Sequence, residues 1–221
     1  MSINLGIDCC SKWTSVGLSA GGQILSEIHL NISRRQSACL PEAVDNLFAL
    51  TGHCLCQVDR IVLNIGPGSF TGLRVGLSYG LALAASLDRP VVPVNSLEII
   101  ALETRPFSQG KTLAPVLWAK RGYVYGAIFR SRSGENRLFA VVEPSFFSQA
   151  DFVETISRDE VHALLILEKE RHYDLFSNFP SIPARDTPSG GGLSLLGDLY
   201  FERSISFLEA KGLYLRPPDI G

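Results

Sequence analysis

Gly66-Pro67-Gly68-Ser69-Phe70-Thr71-Gly72-Leu73-Arg74-Val75-Gly76 stands between a short β-branched run, Asp59–Ile65, and a long apolar stretch, Thr71–Leu87. The run reads as a buried strand and the stretch as a helix, so the glycines mark a strand-to-helix turn. Glycine there permits positive φ and close backbone approach. Ser69 or Thr71 is placed to cap the helix, whose N-terminus attracts an anion. The turn lacks the Lys-Ser/Thr ending of a P-loop and does not follow the dinucleotide fingerprint. A phosphate cradle and a plain tight connector both fit it.

The helix after the turn repeats a small residue every four positions, at Gly72, Gly76, Gly80 and Ala84. A glycine inside a helix costs about 1 kcal/mol relative to alanine, so the ridge needs close packing to offset it. The chain's own sheet is one such surface and a partner is another. Leu73, Leu77, Tyr79 and Leu83 add more apolar surface than one sheet covers, which suggests an interface as well as a core.

Working outward, Ser2–Asp8, Thr14–Ser19 and Gln23–Asn31 read as three strands, the last two joined by Ala20-Gly21-Gly22. Leu40, Val44, Leu47 and Phe48 recur at helical spacing, which predicts a helix over Ser37–Thr51. Pro90–Val94 reads as a strand and Ser96–Glu103 as a helix with Asn95 or Ser96 as its cap. The order βββαβαβα argues for a mixed sheet covered by helices. Arg105–Lys111 reads as a linker. Beyond it come strands at Leu113–Trp118, Tyr123–Arg130 and Arg137–Pro144, with a turn at Ser133-Gly134-Glu135-Asn136 between the last two. A helix at Ser148–Ser157 and a strand at Val161–Leu167 follow. This repeats the order of the first half without repeating its residues. Asn178–Gly192 reads as a loop, Leu193–Lys211 as the last helix and Tyr214-Leu215-Arg216-Pro217-Pro218 as an extended tail. Two subdomains are expected, 1–104 and 110–221, with the last helix packing back on the first.

The 221 residues are 46% apolar and 19% charged, a globular profile, with a formal net charge of −2. No apolar run is read as long enough to span a bilayer, and the N-terminus lacks the pattern of a signal peptide. Lys120-Arg121 and Arg130/Arg132 are the nearest approach to a basic patch, and scattered solvated charge explains them, so an RNA surface would come from another subunit. The five cysteines, Cys9, Cys10, Cys39, Cys54 and Cys56, match no disulfide framework. A reducing cytoplasm fits them, and Cys54-x-Cys56 without a second pair reads as buried or free thiols rather than a metal site.

The eleven residues 66–76 resemble the signature of the TsaB (YeaZ) family, the non-catalytic partner in threonylcarbamoyladenosine synthesis on tRNA. Gly6-Ile7-Asp8 with Ser11, Leu40-Pro41, and Tyr214-Leu215-Arg216 support the likeness along the whole chain. The resemblance implies an α/β, actin-like ATPase (ribonuclease H-like) fold of two βββαβα subdomains, the second degenerate. It implies binding to a TsaD-like catalytic protein and a TsaE-like ATPase, homodimers in their absence, contact with tRNA only through the complex, no membrane and a cytoplasmic location. Its partner surface would lie on the helices Ser37–Thr51 and Thr71–Leu87, at Leu40, Val44, Leu47, Gly72, Leu73, Gly76, Leu77 and Gly80.

The resemblance also implies what is missing. The metal-binding His-x-x-x-His pair of the catalytic sister would fall at Ser96 and Ile100, and His29, His53, His162 and His172 form no such pair. The family's Asp-Thr-Ser opening is Asp8-Cys9-Cys10-Ser11 here, a common histidine is Gln36, and a common acidic residue is Trp118. No catalytic residue, metal or cofactor is therefore expected on the chain itself. Asp8, Gly66 and Gly68 are the candidate nucleotide contacts, with ATP or ADP and Mg²⁺ expected only at a surface shared with the catalytic partner. The alternative is an actin-like ATPase or kinase acting alone through Asp8 and the 66–71 turn. It needs a second phosphate loop, for which Ser189-Gly190-Gly191-Gly192 is the candidate. A metallopeptidase would need a metal site, and no His-Glu-x-x-His occurs.

Overall fold

The computed structural model describes residues 1–32, 35–103, 110–131, 137–166, 176, 179–183 and 189–215. The expected linker at 105–109, Arg132, the turn at 133–136, Leu167, His172, Asn178 and residues 216–218 of the tail lie outside the described residues. In chain order the elements are β1 (Ile3–Asp8), β2 (Trp13–Ala20), β3 (Gln23–Asn31), α1 (Gln36–Thr51), β4 (Arg60–Asn64), α2 (Phe70–Leu87), β5 (Val91–Val94) and α3 (Ser96–Glu103). They continue with β6 (Thr112–Lys120), β7 (Tyr123–Ser131), β8 (Leu138–Ser148), α4 (Gln149–Arg158), β9 (Ala163–Ile166), β10 (Ser181–Pro183) and α5 (Gly190–Leu199). Contacts divide the chain into two compact units, Met1–Ser96 with Pro188–Leu213 and Leu97–Thr187 with Tyr214–Gly221. The division differs from 1–104 and 110–221, because α3 falls almost wholly to the second unit and α5 to the first.

The first unit is a five-stranded sheet in the order β3-β2-β1-β4-β5. β1 pairs antiparallel with β2 and parallel with β4, placing Leu5 beside Leu18 and Ile61, and Ile7 beside Val16 and Leu63. Strand alternation sends these six side chains to one face, where they meet Leu40, Val44 and Leu47 of α1 and Leu73, Leu77 and Ala84 of α2 in one buried core. The other face carries Asn4, Gly6, Ser15, Gly17 and Ser19 beside Val62 and Val92, and α5 lies on it. A Cβ at Gly17 would sit 2.2 Å from the Gly191 nitrogen, and one at Gly6 would sit 2.4 Å from the Gly190 oxygen. Only glycine on both sides allows that approach.

The second unit repeats the plan: its sheet runs β10-β9-β6-β7-β8, with β6 antiparallel to β7 and parallel to β9. Val116, Val124, Ile128 and Leu164 face Phe152 and Ile156 of α4, which starts under a Ser148 cap.

Three expectations change. The last helix starts earlier and ends earlier than Leu193–Lys211. Ser189 caps it through Gly192 N–H, and beyond Leu199 the chain makes a 3₁₀ turn at Phe201–Arg203 and an isolated bridge from Ile205 to Val91. The stretch read as a loop, 178–192, contains β10 and the first turn of α5. Finally, α2 is by length and composition apolar enough to cross a membrane, contrary to the sequence reading, although a third of it (33%) is buried. Its glycine stripe lies against the sheet of its own unit, as in a core helix.

Candidate functional site

The glycine turn between β4 and α2 lies against the turn that follows β1, and the two close on each other. Ser69 N–H donates to Cys10 O at 2.6 Å, Gly72 N–H to Ser69 Oγ at 3.3 Å, and Leu73 N–H to Ser69 O at 2.8 Å. Three amides near the helix start are thus already committed inside the fold. A Cβ at Gly68 would lie 2.2 Å from Cys10 O, and one at Gly72 would lie 2.0 Å from Cys9 O. Gly66 adopts φ +96°, donates its N–H to Asn64 Oδ1 at 2.9 Å, and accepts from Ser96 N–H at 2.8 Å. Close approach of the two turns accounts for Gly68, and the positive φ accounts for Gly66.

Asp8 ends β1 beneath this contact and is 0% exposed. Its Oδ1 accepts from Cys10 N–H at 2.7 Å, closing an Asp-led turn. Its Oδ2 and the neighbouring Asn64 Nδ2 are buried without hydrogen-bond partners among the described residues. Burial pushes the carboxyl up from 3.8 to about 6, with the Cys10 amide and the Asn64 and Cys10 side chains drawing it part of the way back. Cys9 is pushed up to about 12, by burial first and the Asp8 charge second, and Cys10 is pushed well above its ordinary value for the same reasons. The Asp8 side chain is sealed from the surface of the first unit.

The second glycine run is occupied as well. At the N-terminus of α5, Ser189 Oγ and Gly191 N–H (3.1 Å) both donate to Glu27 Oε1, while Gly190 N–H donates to Ser15 Oγ at 2.7 Å. A carboxylate of β3 sits where a phosphate loop would hold its anion, paired in turn with His29 Nε2 at 2.7 Å. Nothing in the sequence marked Glu27. The matched glycines Gly6, Gly17, Gly190 and Gly191 were the one available sign that α5 lies on β1 and β2.

The eight residues assigned to a partner surface are buried within the first unit. Leu40, Val44 and Leu47 are 0% exposed, and Leu73 and Leu77 lie in the same core. Along the stripe, a Cβ at Gly76 would meet Cys9 Cβ at 3.2 Å and one at Gly80 would meet Leu63 Cδ2 at 2.4 Å. Helical periodicity finds the face that is packed, and that face belongs to the chain's own sheet. The surface of these helices lies opposite. There a groove of about 430 Å³ opens between α1 and α2, with Leu40 at its floor and Pro41, Phe70, Arg74, Val75 and Tyr79 around it. Phe70 is 39% exposed and carries the Arg74 guanidinium 5.4 Å from its ring centre. Burial raises the Tyr79 hydroxyl's pKa, helped by the Asp45 charge.

Ser96 and Ile100, where a metal-binding pair would fall, are used otherwise. Ser96 Oγ donates to Asn64 Oδ1 at 2.9 Å, and Ile100 is buried. Among the described residues no three His, Cys, Asp or Glu side chains gather as metal ligands. Gln36 is buried at the start of α1, and Trp118 lies half-buried on β6. Cys54 and Cys56 form a disulfide, correcting their reading as buried or free thiols, whereas Cys9, Cys10 and Cys39 are free.

Comparison with known proteins adds to this geometry. Residues 23–182 match the family described as TsaD, tRNA N6-adenosine threonylcarbamoyltransferase. The tRNA threonylcarbamoyladenosine biosynthesis protein TsaB of Bacillus subtilis is 28% identical over 200 residues, covering 87% of this chain and 86% of that protein. YeaZ from Pseudomonas aeruginosa superposes with a TM-score of 0.80 at 22% identity, covering 97% of this chain and all (100%) of that one. The ROK hexokinase of Thermus thermophilus superposes with a TM-score of 0.52 at 12% identity, over 90% of this chain and 99% of the other. Two copies of one strand order, shared with such neighbours, define an α/β protein of actin-like ATPase fold. The chain belongs to the threonylcarbamoyltransferase family, in its TsaB (YeaZ) branch.

Proposed function

We propose that this protein acts in tRNA threonylcarbamoyladenosine biosynthesis as a non-catalytic subunit. It binds a TsaD-like catalytic protein through the outward face of α1 and α2. The supporting observation is the groove between those helices, an apolar concavity with Phe70, Val75 and Tyr79 at its walls and Arg74 at its rim. An apolar floor edged by one guanidinium has the anatomy of a protein interface, in which aromatic and arginine residues supply most of the binding energy.

In this reading the same face pairs two copies when the catalytic protein is absent, a TsaE-like ATPase joins the complex, and tRNA is met only through it, in the cytoplasm. ATP or ADP with Mg²⁺ belongs to a shared surface. The closed glycine turn, the buried Asp8 and the Glu27-filled end of α5 favour it over an ATPase acting alone.

The test is light scattering behind size exclusion, for the chain alone and mixed with the TsaD-like protein of its organism. The chain alone is expected as a dimer that exchanges into a heterodimer. Val75→Asp is expected to abolish both complexes while leaving the circular dichroism spectrum unchanged. Complexes of undiminished affinity in that folded variant would refute the assignment of this face.

A further inference from the structure

Between α1 and β4 the chain makes a turn held mainly by its backbone and by Gln57, with Cys54 Sγ accepting from Cys56 N–H at 3.3 Å. α1 ends at Gly52 in the left-handed conformation, φ 67°. Cys54 N–H then donates to Gln57 Oε1 at 2.8 Å, Gln57 N–H to Cys54 O at 2.9 Å, and Val58 N–H to Leu55 O at 3.2 Å. Leu55 packs against the core and Val58 is wholly buried, so the turn is anchored on both sides of Cys56. This frame sets the Cα atoms of Cys54 and Cys56 5.2 Å apart, inside the range that a disulfide spans, and both side chains are exposed.

We infer that Cys54 and Cys56 are a reversible thiol–disulfide site that exchanges with small thiols and disulfides of the glutathione type. Closing a loop of so few residues removes little entropy from the unfolded chain, so the bond adds little to stability. The backbone bonds and the anchoring of Leu55 and Val58 hold the turn when the bond opens. A disulfide that is exposed and bears little of the fold belongs to the labile class rather than the structural one. The remaining thiols sharpen the contrast. Cys9 and Cys10 are buried and held protonated, which leaves them poor nucleophiles, and Cys39 is partly buried on α1.

The chemistry balances with a disulfide RSSR as oxidant. One cysteine thiolate attacks a sulfur of RSSR, forming a mixed disulfide and releasing one RS⁻. The second thiolate attacks the protein sulfur of that mixed disulfide and releases the other RS⁻. Two electrons pass from the pair to RSSR, and the two thiol protons end on the two RSH formed. Reduction by two RSH runs the same steps backwards.

The experiment equilibrates the full chain in buffers of varied reduced and oxidised glutathione, quenches in acid, alkylates and maps the peptides by mass. The expected product is an intramolecular disulfide between Cys54 and Cys56, reached in one two-electron transition. It should form within a few-fold as readily in urea as in the folded chain, because a bond that adds little to the stability of the fold is favoured little by it. Cys54→Ser should instead leave Cys56 carrying a single glutathione, with the circular dichroism spectrum unchanged. A pair that stays reduced throughout, that takes two glutathiones, or that closes far more readily folded than in urea, as a structural bond would, would overturn the inference. The readout concerns the isolated chain, so it stands or falls apart from the role in tRNA modification.

Discussion

Replacing Asp8 by asparagine tests the reasoning about the buried turn at its most quantitative point. Burial raises the carboxyl from 3.8 to about 6, so the folded state holds a proton that the unfolded chain gives up. The sign follows: stability contributed at this site is full below the unfolded value and declines as pH rises through the window between 3.8 and about 6. Above that window the ionised carboxylate costs roughly 3 kcal/mol, from a shift of about two units at 1.36 kcal/mol each. At pH 4.5, inside the window, the same linkage leaves a cost of roughly 1 kcal/mol.

Asparagine carries no charge and keeps the oxygen that accepts from Cys10 N–H. Its amide would face the neighbouring Asn64 amide, donor against donor, at a cost of about 1–2 kcal/mol that does not depend on pH. The firm quantity is therefore the change with pH. Between pH 4.5 and 7.5, Asp8→Asn should gain about 2 kcal/mol on the native protein. Urea unfolding followed by circular dichroism across that range measures it directly. A stability difference that stays flat, or shrinks as pH rises, would show that Asp8 is already ionised and paired in the fold.

Two other substitutions probe the packing that closes the first unit. Gly80→Ala puts a Cβ 2.4 Å from Leu63 Cδ2, and the forced shift of that side chain should destabilise the fold by about 1–3 kcal/mol in the same urea titration. Wild-type stability would mean that α2 does not rest on β4 as closely as described. Glu27→Ala removes the acceptor of Ser189 Oγ and Gly191 N–H and should cost about 2 kcal/mol, while Glu27→Gln, which keeps an acceptor but not the charge, should cost about half of that. Equal losses in the two variants would assign the whole effect to charge.

Apart from β10 and α5, the strand and helix order of both units was readable because their residues carry strong periodicity. α1 and α2 lie within a residue of where the spacing of Leu40, Val44, Leu47 and the four-residue stripe predicts them. α5 was not readable for a physical reason. Three consecutive glycines lower helix propensity, and only their fit against Gly6 and Gly17, far away in sequence, offsets it. Past its end, Phe201, Ile205 and Leu208 imitate a helical stripe. Phe201 is 58% and Leu208 80% exposed, however, and Ile205 extends the sheet beside Val91. Periodicity also located the packed side of α1 and α2, and the surplus apolar surface that includes Tyr79 pointed to a second side, but the groove walls at Phe70 and Val75 carried no such signal. The Cys54–Cys56 bond was hidden because two thiols one residue apart carry no signal until a turn is known to hold them.

The place of α5 bears on how the chain is made. A ribosome delivers β1 to β5 about a hundred residues before it delivers Gly190–Leu199. During that interval the face of the sheet lined by Asn4, Gly6, Ser15 and Gly17 has no cover. Translation can therefore begin the first unit early and finish it only near the end. A nascent chain halted after β5 would display a bare sheet face, and its open side would fit best a ten-residue helix that carries its own glycines.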